Sequence, residues 1–432
     1  MKKFNNYINS IVLFNVANLN SFTIGIKIIA GLLISKFIAI FIGAEGLALI
    51  GNLSNFLKAI QSFSALGFYK GMVKLISEFK EKKQKLSEVL STAFYVGFLS
   101  TMLAAFLSYY FANSINTFLF GNIDYVYVIE ILAFILPLYI INAFCFAIMN
   151  GHSKYKFLLI INIIGQIGGL LITLLLIWQD KIDGALVAIV ITPALMFLIT
   201  LVGILFRTSL VQYVKITSVS SKILSKLSPY SIMAITSAVA LPLVMILIRN
   251  YIINEIGLRE AGYWQAMNRI SDYYLMFVNS LIALYLVPKL SNIYTKRDFR
   301  IEVIAFYKNL MPYFGGLLLL MYLLRKFVVR LIFSEEFLPT ESLFMWQFLG
   351  DFIRVLAMVI AYQFLAKKMF SHFIILEIFL FVILYFSSIY LIDVFGLEGA
   401  VMGHFLTHLL HLGIVILIFS SSLFGIIPED SP

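Results

Sequence analysis

The sequence predicts an all-α membrane protein: twelve transmembrane helices in two pseudo-symmetric six-helix bundles, with both termini in the cytoplasm. Three observations predict it. Hydrophobic residues make up 61% of the 432 residues and charged residues only 12%, whereas a soluble domain carries about 25% charged residues. The apolar residues fall into twelve runs, and a membrane-spanning helix needs about 20 such residues. The basic residues between the runs alternate between rich and poor loops.

The chain opens Met1-Lys2-Lys3, which resembles a signal peptide. Asn15, Asn18 and Asn20 then interrupt the apolar stretch and no small-residue cleavage site follows, so the region reads as retained. Apolar runs follow at 18–42 and 44–68. The next segment, MVKLISEFKEKKQKL at 72–86, sets Met72, Leu75, Ile76, Phe79 and Leu86 near helical spacing with lysines between. It reads either as an amphipathic helix on the cytoplasmic leaflet or as a solvated basic loop. Further runs lie at 89–111, 125–149, 157–178 and 184–205, then at 229–250, 262–288, 305–324, 341–366, 371–392 and 397–420. No gap between them is long enough for a soluble domain.

With the N-terminus inside, the cytoplasmic segments hold 20 Lys and Arg residues, among them Lys70, Lys74, Lys80, Lys82, Lys83, Lys85, Arg207, Lys222, Lys226, Lys296, Arg297 and Lys368. The outer segments hold five: Lys181, Arg259, Arg325, Lys326 and Arg330. This split obeys the positive-inside rule. It also accounts for the net charge of +10 without a nucleic-acid partner.

The chain reads as duplicated. Asp183-Gly184-Ala185 precedes Glu398-Gly399-Ala400 by 215 residues, and Gly46 and Asn52 precede Gly262 and Asn268 by 216. The expected organisation is an N-terminal lobe 1–206, a cytoplasmic linker 207–228 and a C-terminal lobe 229–432. Six helices per half give both halves the same orientation, with a site between them.

Seven basic residues remain at membrane depth: Lys27, Lys36, Lys58, Arg249, Arg269, Lys308 and Arg354. A charge at the bilayer centre costs at least about 2.5–3.5 kcal/mol, so such groups are functional candidates. Arg269 with Asp272, and Asp351 with Arg354, are three apart and share a helix face. Each is either a neutralised structural pair or part of a site. Lys58 and Lys308 lie near helix ends and snorkel, and Glu130 lies near an outer end. Lys27, Lys36 and Arg249 have no acid within helical reach in sequence. An excess of cations in a cavity implies an anionic substrate. Asp272, Asp351 and Glu377 are the candidates for proton or ion coupling.

His404, His408 and His411 fall along one face of the last run. A metal site or a proton relay is conceivable there, while the plainer reading is polar helix packing. The one cysteine, Cys145, forms no intramolecular disulfide and suggests no thiolate metal site. There is no GxxxxGK[ST] signature, so an ion gradient, the membrane potential or the substrate gradient must supply energy. No cofactor is expected.

Several segments carry a family resemblance. They are Ile26 to Leu47, then GYWQAMNRISDYYLMFVNSLIALYLVPKLSNIYTKRD from Gly262 to Asp298, and FMWQFLGDFIRVL from Phe344 to Leu356, with Arg249 and Glu377 at matching points. Over nearly its whole length the chain resembles Wzx-type flippases of the multidrug/oligosaccharidyl-lipid/polysaccharide (MOP) exporter superfamily. The segment Asn150-Gly151-His152-Ser153-Lys154 departs from the family in lacking an arginine, and the end Ile427-Pro428-Glu429-Asp430 departs in being acidic.

The resemblance implies a two-lobed exporter of the bacterial inner membrane. It would carry undecaprenyl-pyrophosphate-linked oligosaccharide, of the lipid III or O-antigen repeat kind, to the periplasmic leaflet, and would not be an enzyme. It implies candidate substrate contacts at Lys27, Lys36, Arg249, Arg269, Trp264, Gln265, Asn52 and Asn268. A polysaccharide polymerase and a chain-length regulator are expected partners. The alternative is a drug/proton or drug/sodium antiporter of the same superfamily, against which the excess of cations counts. The short outer loops, the longest near 324–340, argue against a polyprenol-dependent glycosyltransferase.

Overall fold

The computed structural model describes residues 2–205, 214–293, 295–367 and 369–424, with side chains described from residue 21 onward except at 203–205 and 365. The side chains of Lys2, Lys3, Asn15, Asn18 and Asn20 lie outside the described residues. So do Arg207, Lys368, the 207–213 part of the expected linker and the acidic end at Ile427–Asp430.

Among the described residues every regular element is helical. The first unit comprises residues 1–41 and 49–243. It holds α1 (Lys2–Phe41), most of α2 (Gly43–Ser64), α3 (Phe68–Phe79), α4 (Lys83–Tyr110), α5 (Ala112–Phe120), α6 (Val126–Gly151), α7 (Tyr155–Leu205) and the first part of α8 (Ser221–Glu255). The second unit comprises residues 42–48 and 244–432. It holds the rest of α8, α9 (Leu258–Leu281), a π-helical turn Ile282–Leu286, α10 (Val287–Ser291), α11 (Lys296–Leu323), α12 (Arg325–Ile332), a 3-10 segment Glu335–Leu343, α13 (Phe344–Ala366), α14 (Phe370–Phe395), α15 (Leu397–Ile418) and α16 (Ser420–Phe424).

Ten helical stretches among the described residues are long and apolar enough to cross a membrane. One of them runs through α7, where Asp180 (φ −121°) and Lys181 (φ 48°) leave helical geometry, so α7 is two helices joined at a kink. The helix α2 has 22 residues but carries Glu45, Asn52, Asn55, Lys58 and Gln61, and is not among the ten.

The duplication has a structural counterpart. Helices α4 and α11 both have 28 residues and begin 213 positions apart, and α5 and α12 follow at the same offset.

The division between units differs from the expected lobe boundaries at two places. It falls at Leu243, inside α8 and one residue after Pro242, where a helix-interior proline deletes a backbone hydrogen bond. Residues 221–228 of the expected linker are helical, and Ile223 and Leu227 are buried in the core of the first unit. Residues 42–48 belong to the second unit because Gly262 lets their backbone approach. A Cβ on Gly262 would lie 2.0 Å from the carbonyl oxygen of Ala44.

The basic segment at 72–86 is also corrected. The apolar face of α3 does not lie on lipid. Phe68, Met72, Leu75, Ile76 and Phe79 pack into one core with Leu86, Val89, Leu90 and Ala93 of α4, Ala147 and Ile148 of α6, and Ile223 and Leu227 of α8. Burial of that stripe inside protein, rather than lipid, orders the helix. Its lysines Lys70 and Lys74 are exposed, and the ammonium groups of Lys85 on α4 and Lys226 on α8 each lie 5.3 Å from the centre of the Phe79 ring.

Candidate functional site

Among the described residues three charged side chains are buried, Arg249, Glu302 and Asp351, all in the second unit. Two of them anchor polar clusters that contain most of the site residues expected there.

The first cluster surrounds Arg249 near the end of α8. Its guanidinium donates to Gln265 Oε1 at 2.5 Å and stands 5.3 Å from the centre of the Trp264 ring. Trp264 and Gln265 are consecutive on α9, so they point about 100° apart and flank the cation from two sides. Trp264 is buried, and its carbonyl accepts from Asn268 Nδ2 at 3.0 Å. The structure thus unites four expected site residues. A desolvated guanidinium held by a neutral amide and a ring face is a fixed, rigid positive charge, suited to phosphate oxygens.

The second cluster surrounds Asp351 on α13. Oδ2 accepts from Ser271 Oγ at 2.7 Å, Tyr274 OH at 2.5 Å and Gln347 Nε2 at 3.1 Å. Oδ1 lies 3.0 Å from His404 Nε2. Arg354, its expected partner, is more distant, 4.0 Å from Oδ1 and partly exposed. The expected pair exists, but the carboxylate is held chiefly by other groups. A buried ionised carboxylate accepts about four hydrogen bonds when saturated, and this one has them from α9, α13 and α15. Backbone proximity makes that possible: a Cβ on Gly350 would lie 2.6 Å from His404 Cδ2 and 3.1 Å from Cα of Phe405. Only glycine lets α15 come close enough for His404 to reach Asp351.

Glu302, on α11, accepts from Tyr285 OH at 2.8 Å and pairs with Lys289 at 3.5 Å. Tyr285 sits in the π-helical turn.

The other expected residues lie elsewhere. Arg269 and Glu377 are half-buried and Asp272 is exposed, all in the second unit. Lys27 is exposed and Lys36 half-buried on α1, in the first unit. Lys58 and Lys308 are exposed and Glu130 half-buried. Asn52 is fully buried and donates to the carbonyl of Leu119 at 2.8 Å, which ties α2 to α5 and gives its amide a packing task.

Sequence reasoning missed Ser271, Tyr274, Gln347 and Glu302, and it singled out His404 without linking it to Asp351. Gln347 and Asp351 are four apart on one helix, a legible spacing. His404 is 53 positions from Asp351, and only the fold brings them together. Among the described residues no group of three or more His, Cys, Asp or Glu is placed to hold a metal ion.

The fold is shared with solved membrane transporters. The structure matches an inward-facing multidrug resistance MATE family transporter of that superfamily with a TM-score of 0.78 at 13% identity, over 95% of this chain and 96% of that one. It matches the lipid II flippase MurJ, in an inward closed conformation, with a TM-score of 0.72 at 15% identity, over 95% and 90%. The chain belongs to the polysaccharide biosynthesis protein family, whose model matches residues 15–294. It is 28% identical over 389 residues to the lipid III flippases of Escherichia coli (strain K12) and Shigella flexneri, covering 89% of this chain and 93% of each relative.

Proposed function

We propose that the chain is a flippase for lipid-linked oligosaccharide. It moves an undecaprenyl-pyrophosphate-linked glycan from the cytoplasmic to the outer leaflet of a bacterial inner membrane. The observation that carries this reading is the near full-length likeness to two lipid III flippases. The buried guanidinium of Arg249 supports it, because a desolvated cation in an apolar chain suits an anionic headgroup.

In this reading the chain crosses the membrane twelve times, with both termini in the cytoplasm. The ten apolar stretches supply eleven helices once α7 is divided at its kink, and α2 supplies the twelfth. Lys27, Lys36, Arg249 and Arg269 offset the pyrophosphate charge. Asp272, Asp351 and Glu377 set the response to protons or other ions. A polymerase and a chain-length regulator act on the delivered glycan. The protein performs transport rather than bond chemistry. A drug antiporter has only fold likeness at 13–15% identity in its favour.

The test is complementation of a strain lacking its native flippase, with mass spectrometry of the lipid-linked sugar that accumulates. The wild-type chain restores surface glycan, and Lys27→Gln and Arg249→Gln each leave the lipid-linked sugar on the cytoplasmic leaflet. Wild-type export by both variants overturns the assignment of these cations.

A further inference from the structure

The three histidines of α15 are left over from this account, and the structure connects them to its buried acid. His404 Nε2 sits 3.0 Å from Asp351 Oδ1. The rings of His404 and His408 have centroids 4.5 Å apart, and those of His408 and His411 are 6.3 Å apart. His408 Nδ1 and His411 Nδ1 are buried and have no hydrogen-bond partner. A buried imidazole nitrogen left unsatisfied costs free energy that packing alone does not require.

The helix is held close on both sides by glycines. Gly350 admits it toward α13, and a Cβ on Gly403 would lie 2.5 Å from Ser388 Oγ of α14. The backbone that carries the three rings is therefore held in place against α13 and α14. The row spans 7 residues of helix, about 10 Å, and starts at a carboxylate that already has three other donors.

From this geometry we infer that Asp351, His404, His408 and His411 form a proton path, so the ion coupled to transport is a proton. The inference deepens the transport reading and rests on it. Imidazole is the side chain that both accepts and releases a proton near neutral pH. A proton added to His404 makes an imidazolium paired with Asp351. Its release to His408, and onward to His411, breaks one N–H bond and makes another at each step, with ring rotation between steps. Sodium is a poor fit, because Asp351 Oδ2 is already occupied by hydroxyl and amide donors.

The charged and titratable groups facing the row are few. Helix α13 presents Asp351 and Arg354, and α9 presents Tyr274. Helix α14 carries Glu377. The acids of the 335–343 segment pair elsewhere: Glu335 with Arg330, Glu336 with Arg259, and Glu341 with Arg325 and Lys326. His404 is the ring in hydrogen-bond contact with the carboxylate, so the proton rests at the Asp351–His404 pair and crosses the other two rings in transit.

The experiment uses the full chain in liposomes with a fluorescent polyprenyl-pyrophosphate disaccharide, and reads flipping by chemical quenching of the exposed leaflet. Flipping is compared with and without a pH gradient, and with and without a sodium gradient. The expected result is acceleration of the wild type by the pH gradient of about tenfold, within the usual range of coupling, and none by sodium. In His408→Gln and His411→Gln the ratio of rates with and without the gradient falls to one.

A second measurement needs no substrate. Infrared difference spectra between pH 5.5 and pH 8, taken with ring-labelled histidine, should show imidazole and carboxylate bands titrating together, and His404→Gln should uncouple them. A sodium response in the wild type, an unchanged gradient ratio in both glutamine variants, or histidine bands that do not titrate overturns the proton path. Failure of the wild type to flip the probe while the bands titrate overturns the transport reading and leaves the proton site standing.

Discussion

Gly184 and Gly399 make the same contact in the two halves of the chain. A Cβ on Gly184 would lie 1.9 Å from the carbonyl oxygen of Leu176, and a Cβ on Gly399 would lie 2.1 Å from that of Leu391. Both the glycines and their partners are 215 positions apart. The acidic residue before each glycine, Asp183 or Glu398, completes the repeated motif. At each site a helix turns back so tightly on its predecessor that the backbone leaves no room for a methyl group. Gly184→Ala and Gly399→Ala should therefore each cost about 1–3 kcal/mol, the usual range for forced overpacking. Thermal unfolding of the detergent-purified protein checks this. Similar drops in Tm for the two variants are the expected outcome, and tolerance of one alone would break the equivalence.

The core position of α3 is tested at Ile76, which is fully buried and touches Gly151 closely: a Cβ on that glycine would lie 2.6 Å from Ile76 Cγ2. Ile76→Ala should destabilise by about 2–5 kcal/mol, as large-to-small core changes do. A helix lying on the leaflet would tolerate the change with no shift in Tm. Sequence spacing located this stripe of apolar residues but left open what covered it, because lipid and protein cores select the same side chains. The interior partners, Ala147, Ile148, Ile223 and Leu227, come from segments far along the chain.

The Arg249 cluster depends on geometry as well as charge. Lysine keeps the charge but lacks the planar fork and the stacking on an indole. Arg249→Lys should lower glycan export while Lys27→Arg preserves it, read as surface glycan in a complemented strain. Equal export by the two variants would mean that a point charge suffices at 249. This cluster was the most legible part of the site. A cation inside an apolar run stands out in any sequence, and Trp264 and Gln265 lie in the segment with the strongest family resemblance.

Asp351 was legible as a buried acid but its surroundings were not. The pairing visible in sequence, with Arg354 three residues on, places the cation 4.0 Å away and partly exposed. The nearer donors are Ser271, Tyr274 and His404, from helices 53 to 80 positions distant. Helix periodicity reports neighbours on one helix and is silent about which helices touch. Tyr274→Phe removes one hydrogen bond to the buried carboxylate while keeping the ring between Phe314 and Phe348. The expected loss is about 1.5–3 kcal/mol, the usual value of a hydrogen bond to a charged group, seen as a lower Tm. Combining it with Asp351→Asn gives a double-mutant cycle in which the two losses should be strongly non-additive.

Gly350 links the packing of α13 and α15 to the chemistry of Asp351. An added methyl there meets both the His404 ring and the backbone of Phe405, at 2.6 Å and 3.1 Å. The ring can rotate away, but the backbone cannot, so Gly350→Ala should push α15 outward and separate His404 from Asp351. Stability should fall by about 1–3 kcal/mol, and the dependence of transport on a pH gradient should fall with it. Gly413, on α15 and with open space around it, is the control. Gly413→Ala adds the same methyl group to α15 without a clash, so it should keep both the Tm and the gradient response. Loss of the gradient response in both variants would trace the effect to α15 as a whole rather than to the Asp351–His404 contact.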